Sequence, residues 1–295
     1  MRRTFTLTLR SGKQIALGRR TAIVGVLNVT PDSFSDGGKN FDAARAIERA
    51  MEMESEGADI IEVGGESTRP GSDRISAEEE LARIEPVLVG LRLRLRIPIS
   101  VDTYKSSVAE RATELGAEII NDVSALRFDP QIADTAARAG AILVLMHMRG
   151  EPSSMQQIEP SRDIFADIER DFRIAIDEAT RRGVGRERIV LDPGIGFGKT
   201  LEQNLALLNQ LDRFKNFDLP LMIGTSRKSF IGRLTGRAAD DRLFGTAASV
   251  AAAIMRGAHI IRVHDVKEMR EVALVADAII NSTKTHKDAR SKRLK

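Results

Sequence analysis

The sequence predicts a (β/α)8 barrel that forms one domain over residues 1–295. Short, continuously apolar runs recur along the chain, which is typical of parallel strands that are buried on both faces. A helical pattern with recognisable ends follows each run. Eight such pairs succeed one another, and this number favours a barrel, although the pattern alone leaves an open, doubly wound sheet as an alternative.

The predicted strands share a high content of Val, Ile and Leu. The eight barrel strands are expected at 22–27, 59–63, 97–101, 118–120, 141–146, 189–191, 220–223 and 259–263. Two more apolar runs, 5–9 and 15–17, flank Ser11-Gly12 and predict a hairpin within residues 1–20. We expect this hairpin to close the bottom of the barrel.

Polar residues at fixed spacings mark where the predicted helices begin. Asp42 is expected to cap the first helix, and Ser76 with Glu79 has the spacing of a capping box. Thr200 and Gln203 repeat that spacing, which explains Thr200 without any metal ion.

The composition limits the classes of function. The net charge is only +3, and its basic excess includes the tail 284–295, which we expect to be a frayed, solvated end. A single Tyr and no Trp argue against nucleic acid as a partner, and the lack of Cys excludes disulfides and thiolate chemistry. The sequence has neither a signal-peptide pattern nor an apolar run of membrane length. We therefore expect a cytoplasmic protein with no membrane partner.

The stretch DPGIGFGKT, at 192–200, superficially resembles a phosphate-binding loop. A P-loop requires a glycine five positions before the glycine of its Gly-Lys-Thr, and that position is Pro193. The dinucleotide fingerprint also fails, because its third glycine would fall on Lys199. The stretch is instead a strand that ends in a carboxylate, followed by a glycine-rich turn and a new helix.

Polar residues follow nearly every predicted strand, where barrel enzymes carry their active sites. They are Asn28, Glu62, Glu66, Asp102, Asn121, His147, Asp192, Ser226, Arg227, Lys228, Arg262 and His264. Buried carboxylates with an Asn suit a flat heterocycle that carries several N–H donors. Arg69, Arg262 and His264 suit an anion such as phosphate or diphosphate. Asn28 offers a neutral oxygen for Mg²⁺, which keeps several waters and shares substrate phosphates.

Two long segments rich in Gly, Pro and small polar residues follow the first two barrel strands. They span 28–38 and 64–71. We interpret them as mobile lids over the rim, with ordinary solvated loops as the alternative.

Seven motifs together are similar to one known family. They are NVTPDSFSDGG (28–38), GGESTRPG (64–71), SVDTYK (100–105), INDVS (120–124), DPGIGFGK (192–199), GTSRKSFIG (224–232) and RVHDV (262–266). In order and over nearly the whole chain, they resemble bacterial dihydropteroate synthases. The resemblance implies the joining of 6-hydroxymethyl-7,8-dihydropterin diphosphate to p-aminobenzoate, with release of diphosphate. It also implies Mg²⁺ as cofactor, sulfonamides as competitors of p-aminobenzoate, and a homodimer.

The same resemblance implies a role for each matched residue. The pterin ring would be held by Asp102, Asn121, Met146, Asp192, Phe197, Gly224 and Lys228, of which Lys228, Asp102 and Asp192 are the expected catalytic residues. The diphosphate would be held by Asn28, Asp36, Arg69, Arg262 and His264, with Mg²⁺ near Asn28. The p-aminobenzoate pocket would be shaped by Phe34, Thr68, Pro70 and Ser229.

The chemistry implied by the family needs no strong base, because an aromatic amine is already neutral at pH 7. We expect a dissociative displacement that resembles an SN1 reaction, assisted by Mg²⁺ and by the charge of the two aspartates. Two alternatives remain: a folate-dependent corrinoid methyltransferase and a non-catalytic pterin-binding protein. The apolar segments 247–255 and 272–280 are candidates for a dimer face, although ordinary packing on the barrel explains most of their residues.

Overall fold

The computed structural model describes residues 2–30, 39–68, 71–155 and 157–291, without the side chains of 39–42 and 283–291. Its main feature is an eight-stranded parallel sheet in the order β8-β7-β6-β5-β4-β3-β10-β9. The strands are β3 (Ala22–Asn28), β4 (Ile60–Gly64), β5 (Ile99–Asp102), β6 (Ile119–Asp122), β7 (Ile142–Met146), β8 (Ile189–Asp192), β9 (Met222–Gly224) and β10 (Ile260–Val263). The two outermost strands meet through a parallel bridge between Leu191 and Leu221, which nearly closes the barrel. The predicted fold class is thus confirmed.

The N-terminal hairpin consists of β1 (Phe5–Thr8) and β2 (Gln14–Leu17), which pair antiparallel. Leu7 and Leu17 are nearly inaccessible and belong to one apolar cluster with inward-facing strand residues such as Val24 and Ile142. This cluster fills the lower half of the barrel, because alternate residues of each strand face inward. The hairpin therefore closes the barrel at its bottom, as the sequence predicted.

Helices surround the sheet and follow the strands along the chain. They are α1 (Lys39–Ser55), α2 (Ala77–Arg92), α3 (Ser106–Glu114), α4 (Gln131–Ala139), α5 (Ile164–Arg181), α6 (Leu201–Asn209), α7 (Ser229–Thr235), α8 (Leu243–Met255) and α9 (Val266–Ser291). Short 3-10 helices span Arg186–Arg188, Leu211–Phe217 and Ala239–Asp241. The larger apolar core lies between these helices and the outer face of the sheet.

The structure agrees with the predicted helix starts to different degrees. Thr200 and Gln203 form the expected capping box in both directions. The Ser76 side chain accepts from the backbone N–H of Glu79, but the Glu79 carboxylate pairs with Arg83, so only half of that box forms. The prediction for Asp42 was wrong, because α1 already begins at Lys39.

No helix within the described part of the chain is long and apolar enough to cross a membrane. The last helix, α9, continues to Ser291. Because the side chains beyond residue 282 are not described, the expectation of a frayed basic tail at 284–295 stays a prediction.

Candidate functional site

The candidate site lies at the rim formed by the C-terminal ends of the barrel strands. Asp102 is the last residue of β5, Asn121 lies on β6, and Asp192 is the last residue of β8. Lys228 directly precedes α7, after β9. Parallel strands bring all four side chains to one end of the barrel, opposite the hairpin.

Asp102 and Asn121 form a pair on neighbouring strands, where they stand in register. Nδ2 of Asn121 donates to Oδ1 of Asp102 over 3.3 Å. Burial, reinforced by the nearby charge of Glu62, raises the pKa of Asp102 to about 8. Throughout the described structure, no group donates to the buried Oδ1 of Asn121. Since buried polar atoms are nearly always paired, this oxygen marks a position for a ligand donor.

Asp192 begins the glycine-rich turn and is only 3% exposed. Its Oδ1 accepts from the backbone N–H of Gly194 over 2.7 Å. Burial raises the pKa of Asp192, while the charge of Lys228 and the Gly194 N–H oppose this shift. The carboxylate therefore faces the site with a lysine as its nearby countercharge.

Lys199 holds the rest of the turn in place. Its buried Nζ donates to three backbone carbonyls, those of Gly194 at 2.8 Å, Phe197 at 3.1 Å and His147 at 3.2 Å. The first two lie within the turn, whereas His147 belongs to the loop after β7. Lys199 therefore fixes the turn that carries Asp192 against the neighbouring strand end.

The glycines of this turn are required by the backbone. Gly194 and Gly198 have φ of 67° and 65°, in the left-handed region that favours glycine. A Cβ on either would overlap backbone atoms of the loop after β7. The turn therefore packs tightly against that loop, and its glycines do not form a phosphate cradle.

Lys228 is held in position by its strained neighbour Arg227. Arg227 has a φ of 58°, which is unusual for a residue with a side chain. Its guanidinium pairs with Asp265 over 2.5 Å, and its backbone N–H donates to Thr246 Oγ1 over 3.1 Å. Tertiary contacts of this kind keep strained residues in place at functional sites.

The ammonium group of Lys228 lies between the turn and the sheet. Its Nζ donates to the carbonyl of Ile195 and lies 4.6 Å from the ring centre of Phe197. Burial lowers the pKa of Lys228 to about 7, while the charge of Asp192 opposes that shift. The lysine is therefore close to its titration midpoint at neutral pH.

Arg262, on β10, reaches across the barrel interior. Its Nε donates to Glu62 of β4, and its Nη2 donates to Oδ2 of Asp102 of β5 over 2.7 Å. The two carboxylates raise the pKa of Arg262 against the effect of burial. The guanidinium therefore lies directly beside the Asp102–Asn121 pair.

An apolar wall flanks these charged groups. Met146 and Phe197 belong to a small buried cluster that also contains Tyr104 and Met148. Gly224 of β9 lies in register with Arg262. A Cβ on Gly224 would contact the side chains of both Arg262 and Lys228, so the glycine leaves room where these two cations approach one another.

Asn28 and His264 lie on the β3 and β10 side of the rim. Asn28 is half-buried at the end of β3. A Cβ added to Gly64 would lie 4.0 Å from Oδ1 of Asn28 and 3.9 Å from Oδ2 of Asp102. Nδ1 of His264 is 3.0 Å from Ser226 Oγ. In the described regions, no cluster of three acidic, His or Cys residues is arranged to hold a metal ion.

The two long loops are only partly described. Phe34, Asp36, Arg69 and Pro70 lie outside the described residues. Thr68 is half-buried, and Ser229 is exposed at the start of α7.

The loop 64–71 is anchored by hydrogen bonds on both sides of residues 69–70. Before them, the Glu66 carboxylate accepts from Tyr104 over 2.6 Å and also binds Lys105. After them, the N–H of Gly71 donates to the carbonyl of Pro152 over 3.0 Å. The neighbouring loops thus fix the ends between which Thr68 lies.

His147 follows β7 but does not take part in the site through its ring. Its Nε2 lies 3.3 Å from Oδ2 of Asp171 on α5, outside the barrel. Burial lowers the pKa of His147 to about 4, so the ring is neutral at pH 7. Its backbone contributes instead: the carbonyl accepts from Lys199, and the N–H donates to the carbonyl of Asp192 over 2.9 Å.

Comparison with known proteins identifies the family. The family model described as "Pterin binding enzyme" matches residues 24–264. The chain belongs to the pterin-binding enzyme family. It is similar to a dihydropteroate synthase of Synechocystis sp., with 46% identity over 263 residues, which cover 89% of this chain and 91% of that protein. The family resemblance drawn from the motifs is thereby confirmed.

Two solved structures of pterin-binding enzymes are also similar to this chain. A dihydropteroate synthase of Clostridium difficile, crystallised in the presence of pteroic acid, has a TM-score of 0.85 and 45% identity, covering 89% of this chain and 98% of that chain. A Yersinia pestis dihydropteroate synthase in complex with a sulfonamide drug has a TM-score of 0.87 and 41% identity, covering 94% of this chain and 100% of that chain. The similarity therefore extends over nearly the whole barrel.

Most members of this candidate site were predicted at the rim from the sequence, but two contacts were not. Glu62 was given no role, although the carboxylate binds Arg262. No role was predicted for Lys199, which binds three backbone carbonyls of the turn and of the loop after β7. Glu62 was itself predicted at the rim, but no sequence pattern indicated its partner Arg262, and the partners of Lys199 are backbone carbonyls, which leave no sequence signal.

Proposed function

We propose that this protein catalyses the dihydropteroate synthase reaction, in which p-aminobenzoate displaces diphosphate from 6-hydroxymethyl-7,8-dihydropterin diphosphate. The observation that carries the proposal is the unpaired, buried Oδ1 of Asn121 beside Asp102, with Asp192 and Lys228 at the same rim. This set supplies several acceptors and one donor to a flat ring. The similarity to dihydropteroate synthases over about nine-tenths of the chain supports the same reaction.

The pterin ring presents an edge with several N–H donors, and each acceptor has a part in binding it. Asn121 Oδ1 and the carboxylates of Asp102 and Asp192 accept from that edge, and Lys228 donates to a ring acceptor. Asp102 turns from Arg262 toward the ring as the pterin binds. Met146 and Phe197 cover the ring faces, and Gly224 leaves room for the ring next to Lys228.

The diphosphate binds on the β3 and β10 side of the rim. Arg262 and His264 are the described cationic and donor groups there, and Asp36 and Arg69 stay predictions because they lie outside the described residues. Asn28 offers one neutral oxygen. That donor set fits Mg²⁺ that is held mainly by diphosphate oxygens and water, rather than a resident ion in a protein cage. When bound, Mg²⁺ neutralises the charge of the leaving diphosphate.

The p-aminobenzoate pocket lies between the second loop and the start of α7. Thr68 and Ser229 are the described residues assigned to it, and Phe34 and Pro70 lie outside the described residues; all four assignments stay predictions. Sulfonamides compete for this pocket because they mimic p-aminobenzoate, and a sulfonamide complex of the similar Yersinia pestis enzyme supports this assignment. The loops close after the pterin diphosphate binds, so p-aminobenzoate binds second.

The proposed displacement is dissociative. The bond between the methylene carbon and the diphosphate oxygen breaks first, and the electron pair leaves with diphosphate. The electron-rich ring delocalises the resulting positive charge, which ionised Asp102 and Asp192 stabilise further. The neutral amine of p-aminobenzoate then forms the new C–N bond and loses one proton to solvent. Trapping of the cation by an added nucleophile would support this order of steps, and a concerted isotope effect at the methylene carbon would contradict it.

Diphosphate release by the purified protein tests the function. We expect release that requires p-aminobenzoate and yields dihydropteroate. Lys228→Ala should lower kcat/KM by about 10²–10³, the usual effect of removing a group that stabilises developing charge. Lys215→Ala is the matched control, because Lys215 is exposed and precedes β9 at the other end of the barrel. Pterin binding without any release would refute the proposed function.

We further propose a cytoplasmic homodimer. Phe244 of α8 is 87% exposed, and Leu274 and Val275 of α9 are more than half exposed. Large exposed apolar side chains of this kind indicate a contact surface. Sedimentation should give a molecular mass twice that of the chain. Phe244→Glu should lower the measured mass toward that of the monomer. A monomeric wild-type protein would contradict the proposal, and cell fractionation tests the location.

A further inference from the structure

Glu62 is a buried carboxylate at the boundary between the site and the apolar barrel interior. Its side chain is 1% exposed, and it lies on β4 in register with Val26 and Ser100 of the neighbouring strands. A cavity of about 10 Å³, lined largely by apolar residues such as Leu7 and Ile142, lies beside it on the hairpin side. Burying a charge in such surroundings requires a partner.

Arg262 supplies that partner. Its Nε donates to Oε1 of Glu62, which is the only side-chain hydrogen bond of Glu62 in the described structure. The other edge of the guanidinium donates to Asp102 through Nη2. Because a guanidinium is planar and rigid, fixing the Nε edge fixes the direction of the whole fork.

A ligand donor would compete with Arg262 and Asn121 for the carboxylate of Asp102. Its Oδ2 binds Arg262 and its Oδ1 accepts from Asn121. In the proposed reaction, the carboxylate must turn its oxygens to the N–H donors of the pterin. Without Glu62, the part-buried guanidinium of Arg262 would have no hydrogen-bonded carboxylate once Asp102 turned away, which is unfavourable.

We infer that Glu62 is a positioning residue for this site: it retains Arg262 at a fixed place beside the diphosphate position and thereby releases Asp102 to bind the pterin ring. This inference rests on the proposed function for the identity of the ligand. No hydrogen bond to Nη1 of Arg262 occurs among the described residues. That atom therefore remains to bind diphosphate while Glu62 holds Nε.

Glu62→Gln tests the inference, because the amide keeps the volume and an acceptor but loses the charge. Arg262 would then hold Asp102 more firmly against the pterin. We expect the Kd of 6-hydroxymethylpterin, which lacks diphosphate, to rise about tenfold, as for loss of one charge in a coupled network. Glu118→Gln is the matched control: Glu118 is also buried but binds the hairpin N–H of Ser11 at the barrel bottom.

A double-mutant cycle separates positioning from general stability. In an Arg262→Gln background, Glu62→Gln should have no further effect on the pterin Kd. It should restore part of the thermal stability lost with Arg262, because Glu62, whose side-chain partner was Arg262, then no longer buries an unpaired charge. An unchanged Kd in Glu62→Gln, or the same loss in both backgrounds, would overturn the inference. A wild-type protein that binds no pterin would refute the proposed function instead.

Discussion

Replacing Lys199 with methionine should disorganise the turn that carries Asp192. The substitution keeps an unbranched side chain of similar length but removes every donor. Three backbone carbonyls, of His147, Gly194 and Phe197, would lose their only side-chain donor. The link between the turn and the loop after β7 depends on these bonds, so both the fold and the site should respond.

The magnitude follows from two opposing contributions. The Gly194 carbonyl keeps the backbone N–H of Phe197 as a donor, so two carbonyls would be left unpaired, at about 1–3 kcal/mol each and roughly 2–6 kcal/mol together. Removing the buried ammonium also removes its desolvation penalty, which stabilises the folded protein by several kcal/mol. We therefore expect the free energy of unfolding to fall by about 1–3 kcal/mol. Because the turn positions Asp192, the Kd of a pterin ligand should also rise at least tenfold, since small misplacements in a site have large effects.

Lys199 should also leave a signature in the pH dependence of stability. Burial, reinforced by the charge of Lys228, lowers the pKa of Lys199 well below its ordinary value, although the charge of Asp192 opposes that shift. Between the lowered pKa and the ordinary value near 10.5, the unfolded chain binds more protons than the folded protein. Stability contributed by this group therefore rises with pH across that window, and the methionine variant should lose this rise.

Urea unfolding between pH 6 and pH 10, combined with calorimetric pterin binding at pH 7, measures both effects. Lys13→Met is the matched control, because Lys13 also donates to a backbone carbonyl, that of Arg96 at 2.7 Å, but on the exposed surface of the barrel bottom. The control should change the free energy of unfolding by less than about 1 kcal/mol. A Lys199→Met variant with wild-type stability and pterin affinity would refute the reasoning.

Three further predictions concern other parts of the chain. Burial and the charge of Glu62 raise the pKa of Asp102 to about 8, so Asp102 should give up its proton as the pterin binds, and binding should strengthen as the pH rises toward 8. Calorimetry in two buffers measures the proton release, which should fall in Asp102→Asn, and a release unchanged in that variant would exclude Asp102 as its source. Asp277→Ala removes the partner of the buried Arg2 and should lower the free energy of unfolding by about 3–5 kcal/mol, with unchanged activity per folded molecule. Thr200→Ala should lower the free energy of unfolding by about 1 kcal/mol, because the helix cap is lost. The Mg²⁺ concentration that activity requires should stay unchanged; a higher requirement would indicate that Thr200 is a metal ligand.

The strands and the rim were largely predictable from the sequence. Continuous apolar runs can be buried on both faces only in a parallel sheet with helices around it, and such a sheet collects the polar residues that follow its strands at one end. Asp102, Asn121 and Asp192 are found there because each lies at or near the end of an apolar run. Local spacing also predicted the capping box of Thr200.

The missed features depend on contacts between residues far apart in the chain. Glu62 and Arg262 are separated by 200 positions, and no local pattern pairs them. Lys199 binds backbone carbonyls, which every residue possesses, so its partners depend on the left-handed glycines of the turn. The cap at Asp42 was misplaced because the helix starts within a segment without a sharp change in polarity.

A crystal structure of the protein with 6-hydroxymethylpterin would test the pterin site most directly. We expect Met146 and Phe197 to cover the ring faces and Lys228 to donate to a ring acceptor, with Oδ1 of Asn121 accepting a ring N–H at about 2.7–3.2 Å, the usual hydrogen-bond distance. Asp102 should accept from the ring and no longer from Nη2 of Arg262, whereas Glu62 should still accept from Nε of Arg262. A ring bound elsewhere, with Oδ1 of Asn121 still unpaired, would contradict the assignment of this rim as the pterin site.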